Sequence, residues 1–265
     1  MVSNEERTPV SSKHDADDAP HRPQPESAED PAPKTALAVV AHPDDADFGA
    51  AGTLAGWVDE GWEVTLLVCT HGEQGGFDDE QHERMPEIRD REQRAASAEL
   101  GITDVRFLQG YRDGWLQPTH ELQKDIVRVI RQVRPSRMVI QSSERDYQRI
   151  NASHPDHLAC GEATIRAIYP AAENQFAFPE LLREEGLERF SVPEFWVMGH
   201  ATTNYAVDIT DRFDRKVAAL RAHESQTGHL GDELDAFLRK WGELVASRHA
   251  LGHGRIGEAF LRVIR

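Results

Sequence analysis

Thr35-Ala36-Leu37-Ala38-Val39-Val40-Ala41-His42-Pro43-Asp44-Asp45-Ala46-Asp47 is the stretch on which the fold class turns. Its first half is a short apolar run of the kind that forms a strand buried on both faces. The chain then turns through His42 to Asp45, and Gly49 to Glu60 is a small-residue segment that reads as a helix. A second apolar run, Val64 to Cys69, completes a βαβ unit.

Working outward, the alternation continues. Helices are predicted over Pro86 to Leu100, stopped by Gly101, and over Thr119 to Val133, with strands at Val105 to Leu108 and Met138 to Ile140. A helix after His157, a strand at Phe195 to Met198 and helices over Asp211 to His223 and Asp232 to about His249 follow. This pattern predicts an α/β fold, a Rossmann-like three-layer sandwich with a mostly parallel sheet in a single domain, its functional loops at the carboxyl ends of the strands. His-Pro-Asp-Asp stands where a nucleotide-binding fold would place its glycine loop, so a nucleotide ligand is disfavoured.

Upstream, residues 1–34 are rich in Pro, Ser, Asp, Glu and Ala and lack the apolar side chains that offset the entropy of ordering, so they are expected to form a disordered acidic tail. The ordered domain is expected over 35–265. Of the 265 residues 39% are hydrophobic, enough for one full-sized core. No segment approaches the roughly 20 apolar residues of a membrane span and no secretory leader is evident, which predicts a cytoplasmic protein. A formal charge of −16 argues against nucleic acid as a partner. Cys69 and Cys160 fit neither a disulfide framework nor a thiolate zinc site and read as small buried residues.

The chemistry concentrates at two clusters. His42, Asp44, Asp45 and Asp47 crowd one imidazole and three carboxylates into a single turn, and a neutralising cation is the simplest physical reason for that crowding. A mixed His/Asp set favours zinc or a similar transition metal over calcium. Helix capping by Asp44 or Asp45 is the competing explanation. Ser153-His154-Pro155-Asp156-His157 repeats the His-Pro-Asp theme downstream and favours the metal. A catalytic zinc takes three protein ligands and keeps one position open, a count that His42, Asp45 and His157 meet. Asp44 is then placed to accept a proton from water and His154 to face a developing oxyanion.

AHPDD followed by a small-residue helix, then HPDH, resembles the PIG-L/LmbE-like zinc deacetylases. The resemblance extends from Thr35 to about Gly228 and takes in Thr70-His71-Gly72-Glu73, Arg89, Glu92, Leu100-Gly101, Asp113-Gly114 and His223-Glu224-Ser225-Gln226. It implies one Zn2+ per chain on His42, Asp45 and His157, with Asp44 as general base and His154 at the oxyanion. The implied reaction removes an acyl group, usually acetyl, from the amine of an N-acylated sugar or glycoconjugate. Alternatives within the same fold are an amidase acting on a thiol-sugar conjugate and a catalytically silent metal-binding protein. A homo-oligomer is compatible with either.

Further positions carry two readings each. Asp156 suits either orientation of a neighbouring histidine or capping of the following helix. Glu73, Arg89 and Asp113 lie in segments that shape the sugar pocket of relatives, yet Arg89 and Glu92 also fit a surface ion pair and Asp113 a simple turn. Asp47 stands where many relatives carry Glu, which shortens its reach. Ala152 stands where some carry Tyr, for which Tyr147 is the candidate replacement. Trp57, Trp196 and Trp241 are expected in the core, and Trp115 is the candidate sugar platform.

Overall fold

The computed structural model describes residues 34–77 and 82–265. The expected disordered tail lies outside the described residues, apart from its last position. Fifteen elements follow in chain order: β1 (Thr35–Val40), α1 (Asp45–Asp59), β2 (Glu63–Val68), α2 (Met85–Glu99), β3 (Asp104–Phe107), α3 (His120–Val133), β4 (Arg137–Gln141), α4 (Pro155–Arg166), α5 (Pro179–Arg183), β5 (Glu194–Met198), β6 (Tyr205–Asp208), α6 (Phe213–Arg221), α7 (Glu224–Thr227), α8 (Glu233–Arg248) and β7 (Gly257–Ile264).

The strands form one sheet in the order β3-β2-β1-β4-β5-β7-β6. Pairings among β1 to β5 are parallel, and β7 joins β5 and β6 antiparallel. Because side chains alternate across a strand, Leu37 and Val39 enter one core with α3 and α4, while Ala36, Ala38 and Val40 enter another with α1 and α2. Helices on both faces make the three-layer sandwich that the βα alternation predicts. Strand order reverses beside β1, so the carboxyl ends of β1 and β4 flank a crevice of the kind in which open α/β sheets bind ligands. The Gln141 side chain bridges the two ends, its Oε1 accepting from the Ala41 N–H at 2.9 Å.

Several expectations are revised. Helix α1 begins at Asp45, not Gly49, because the Pro-Asp-Asp turn winds directly into the helix. Likewise α4 begins at Pro155, which places His157 on the helix. Trp57 and Trp196 are buried as expected, but Trp241 is 36% exposed on α8. The cysteines are buried and free, with their sulfurs 3.7 Å apart. No helix among the described residues is long and apolar enough to cross a membrane.

Candidate metal centre

Both His-Pro-Asp turns emerge at the carboxyl end of the sheet. Asp44 occupies the N-cap position of α1 with φ 87°, a left-handed conformation that Asp tolerates better than most side chains. Its carboxylate makes no capping hydrogen bond. Capping therefore does not account for Asp44. The second turn reaches the same place because α4 packs tightly on the end of β4: a Cβ at Gly161 would lie 2.6 Å from the Gln141 carbonyl oxygen.

Asp45 joins the two turns. Its Oδ2 accepts from the His42 N–H at 2.8 Å and stands 3.4 Å from His42 Nδ1, while Oδ1 lies 2.9 Å from His157 Nε2. His154 completes a triangle of imidazoles whose ring centroids lie 5.0 to 5.3 Å apart. Among the described residues, two donor constellations share His42: His42, His154 and His157, and His42, Asp113 and Asp156.

Hydrogen bonding distinguishes the donors. Asp156 Oδ2 accepts from the Gly114 N–H at 2.7 Å, and Asp113 Oδ2 accepts from the Gln74 N–H at 3.0 Å. Both carboxylates also face His42 Nε2, at 3.2 and 3.0 Å. Two acceptors at Nε2 place the proton there and leave the Nδ1 lone pair on the side of Asp45. His154 has the same tautomer, since Nδ1 accepts from the Asp156 N–H at 3.2 Å and Nε2 carries the donor proton of the neutral ring.

The local field favours positive charge. Burial alone would lower the pKa values of His42 and His157, but the neighbouring carboxylates outweigh it and raise both, His42 well above the usual imidazole value. Burial also works against ionised Asp45, yet His157 and His42 hold it well below the usual carboxylate range. A field that attracts protons to these imidazoles attracts a metal cation as well, with protons released as it binds. His154 is lowered, by burial first and then by the adjacent histidines.

Asp44 is set apart from this group. Burial, with help from Asp45, raises its pKa to about 6 against the opposing charge of Arg89. Arg89 is buried, not part of a surface pair. It donates to the Gly72 and Pro43 carbonyls and, at 3.1 Å, to Asp44 Oδ2. Glu92 is buried too, and accepts from the Ser225 N–H and hydroxyl at 2.8 and 2.7 Å. Glu73 accepts from the Asp113 N–H at 2.9 Å and thereby holds the loop that carries Asp113. Asp113 is accordingly more than a turn residue, and Asp156 contacts His42 as well as opening α4.

Gln93 is the residue that sequence reasoning missed. Its Oε1 accepts from the Asp44 N–H at 2.8 Å, and its amide nitrogen donates to Asp47 Oδ2, also at 2.8 Å. Asp47 in turn meets His223 Nε2 at 2.9 Å, so the shorter Asp still reaches its partners. Around the centre, Trp115 is 67% exposed beside the Asp113 loop, and Tyr147 lies at the rim of a cavity that also reaches Ala152, Asp45 and His157.

The family model described as PIG-L: GlcNAc-PI de-N-acetylase matches residues 37–168. Diacetylchitobiose deacetylase from Thermococcus kodakarensis is 32% identical over 236 residues, covering 87% of this chain and 86% of the relative. The 1D-myo-inositol 2-acetamido-2-deoxy-alpha-D-glucopyranoside deacetylase of Acidothermus cellulolyticus is 31% identical, covering 73% and 80%. Among solved structures, N,N'-diacetylchitobiose deacetylase from Pyrococcus horikoshii, complexed with its inhibitor, aligns with a TM-score of 0.78 at 28% identity over 87% of this chain and 84% of its own. The 4-carboxy-2-hydroxymuconate hydratase from Pseudomonas putida aligns with a TM-score of 0.71 at 19% identity over 88% of this chain and 97% of its own. That hydratase shares the fold alone, so fold does not decide the reaction. Sequence and fold together place the chain in the PIG-L (GlcNAc-PI de-N-acetylase) family.

Proposed function

We propose that the protein is a zinc-dependent deacetylase that hydrolyses the amide of an N-acetylated amino sugar or its conjugate. The observation that carries this reading is Asp45, whose two oxygens approach His42 Nδ1 and His157 Nε2 while Asp113 and Asp156 hold the proton of His42 on the opposite nitrogen. Family membership and the sugar deacetylases among the relatives support it.

His42, Asp45 and His157 would hold the ion. The donor set fits: two imidazoles and one carboxylate suit zinc, and Asp113 and Asp156 are engaged with backbone N–H groups. Bound zinc supplies Lewis acidity towards water and the acyl carbonyl. Asp44, partly buried and with a raised pKa, accepts the proton of the attacking water and passes it to the departing amine. His154 keeps Nε2–H as a donor for the oxyanion that develops on the acyl oxygen. Water oxygen bonds to the acyl carbon, the C–N bond breaks, and acetate and the free amine leave.

The Asp44→Asn protein tests this assignment. Retained zinc with turnover reduced on the order of 10²- to 10⁴-fold supports Asp44 as the base, whereas unchanged hydrolysis removes it from the mechanism.

A further inference from the structure

A cavity of about 1080 Å³ is lined by Asp45 and His157 and by residues of α8. This is at or above the upper end of small-molecule sites, which span roughly 300–1,000 Å³. Its lining includes the apolar side chains of Phe48, Met198, Leu238, Trp241, Val245 and Ile256. Leu238, Trp241 and Val245 recur at helical spacing, so one face of α8 supplies half of these side chains.

Several polar side chains along the cavity are engaged with one another. Glu258 pairs with Lys216 at 2.7 Å, His200 Nε2 lies 3.2 Å from Glu144, and Thr203 meets His249 at 2.9 Å. Against the apolar side chains of α8 a second sugar ring would turn hydroxyls towards carbon, at a cost that an alkyl or aryl group does not incur. The polar mouth is different in character, with Arg145 and Tyr147 on the segment that leads to His154.

Resting on the deacetylase reading, we propose that this cavity binds an apolar substituent of the substrate, so that the preferred substrate is an N-acylated amino sugar bearing an alkyl or aryl group, not a longer glycan. The occupant is fixed by continuity: the same cavity is lined by Asp45 and His157, so a substrate reacting there can extend into it. The substituent can be attached through the anomeric oxygen or belong to the acyl group, and the two attachments are separable by experiment.

The test uses the full chain loaded with zinc and four probes: the methyl and hexyl glycosides of N-acetylglucosamine, the N-hexanoyl analogue of the methyl glycoside, and N,N'-diacetylchitobiose. Affinity is measured by calorimetry and amine release is followed separately, so loss of the hydrolase reading is seen independently of binding. One of the two probes with a six-carbon chain is expected to bind at least about tenfold more tightly than the methyl glycoside, a modest share of the gain available from burying its added methylenes. The probe that gains identifies the attachment. The gain is expected to fall at least fivefold in Trp241→Ala and in Leu244→Asp, both at partly exposed positions of α8 that tolerate substitution. Equal affinity for all four probes, a larger gain for the disaccharide, or a six-carbon gain that survives both substitutions would overturn the proposal. A change in molecular mass in Leu244→Asp with unaltered probe affinity would also overturn it and assign this face to a second copy of the chain.

Discussion

His223 and Asp47 are 176 positions apart in the chain, yet His223 Nε2 lies 2.9 Å from Asp47 Oδ2 in the protein interior. The contact terminates a relay in which Asp47 fixes the Gln93 amide and Gln93 accepts from the Asp44 N–H. The amide cannot flip, because its oxygen faces a donor and its nitrogen a carboxylate. The relay thus supports the left-handed backbone at Asp44, a conformation that otherwise costs of order 1–3 kcal/mol.

Gln93→Leu removes both bonds without much change in size. We expect kcat to fall on the order of 10²-fold, as for a displaced catalytic group, with zinc still bound and KM little altered. Steady-state kinetics with metal analysis checks this; loss of metal at unchanged kcat per metal would assign Gln93 to the metal centre instead.

Acidic pH should inactivate the enzyme through Asp44. Burial raises this carboxyl to about 6, and only its ionised form accepts a proton, so kcat/KM declines as pH falls through about 6. Arg89 opposes the rise, so Arg89→Met should move the acidic limb to higher pH. A pH–rate profile of each protein gives the answer, and a limb that stays fixed or moves down contradicts the assignment.

Asp156→Asn and Asp113→Asn each weaken an acceptor at His42 Nε2. Zinc affinity is expected to drop about 10- to 100-fold in each, as is common when an outer partner of a metal-bound imidazole is lost. Competition with a calibrated chelator measures it.

Stability away from the centre depends on Lys216, whose ammonium donates to Glu258 and to the Phe48 carbonyl in a buried setting. Glu258 also accepts from the Gly52 and Thr53 N–H groups and the Thr53 hydroxyl, which ties α1 to β7. Lys216→Met leaves this buried carboxylate without its counter-charge and should cost about 3–5 kcal/mol of unfolding free energy, measurable by denaturant titration.

The sequence made the first βαβ unit legible because β1 and β2 are short apolar runs bounded by turn residues. Strands β6 and β7 were not legible. All four residues of β6 are only half-buried, and the buried charge of Glu258 interrupts the apolar pattern of β7. At the site, the two His-Pro-Asp turns announced His42, Asp45 and His157. Gln93 did not announce itself, because its partners lie 46 and 49 positions away in sequence. Arg89, Gln93 and Ser97 stand at a spacing of four along α2, a pattern that an exposed polar face shares, and only their burial in the structure sets them apart. Arg89 and Glu92 fitted a surface pair as well as a pocket role, since helical spacing alone does not reveal what packs over that face.

The most direct test of the central claim is amine release from N-acetylglucosamine conjugates by the protein as isolated, after chelation, and after zinc return, with metal content measured on the same samples. One zinc per chain, loss of release on chelation and recovery with zinc are the expected results. A chain that binds no zinc after its return, or that hydrolyses equally well without metal, would contradict the account.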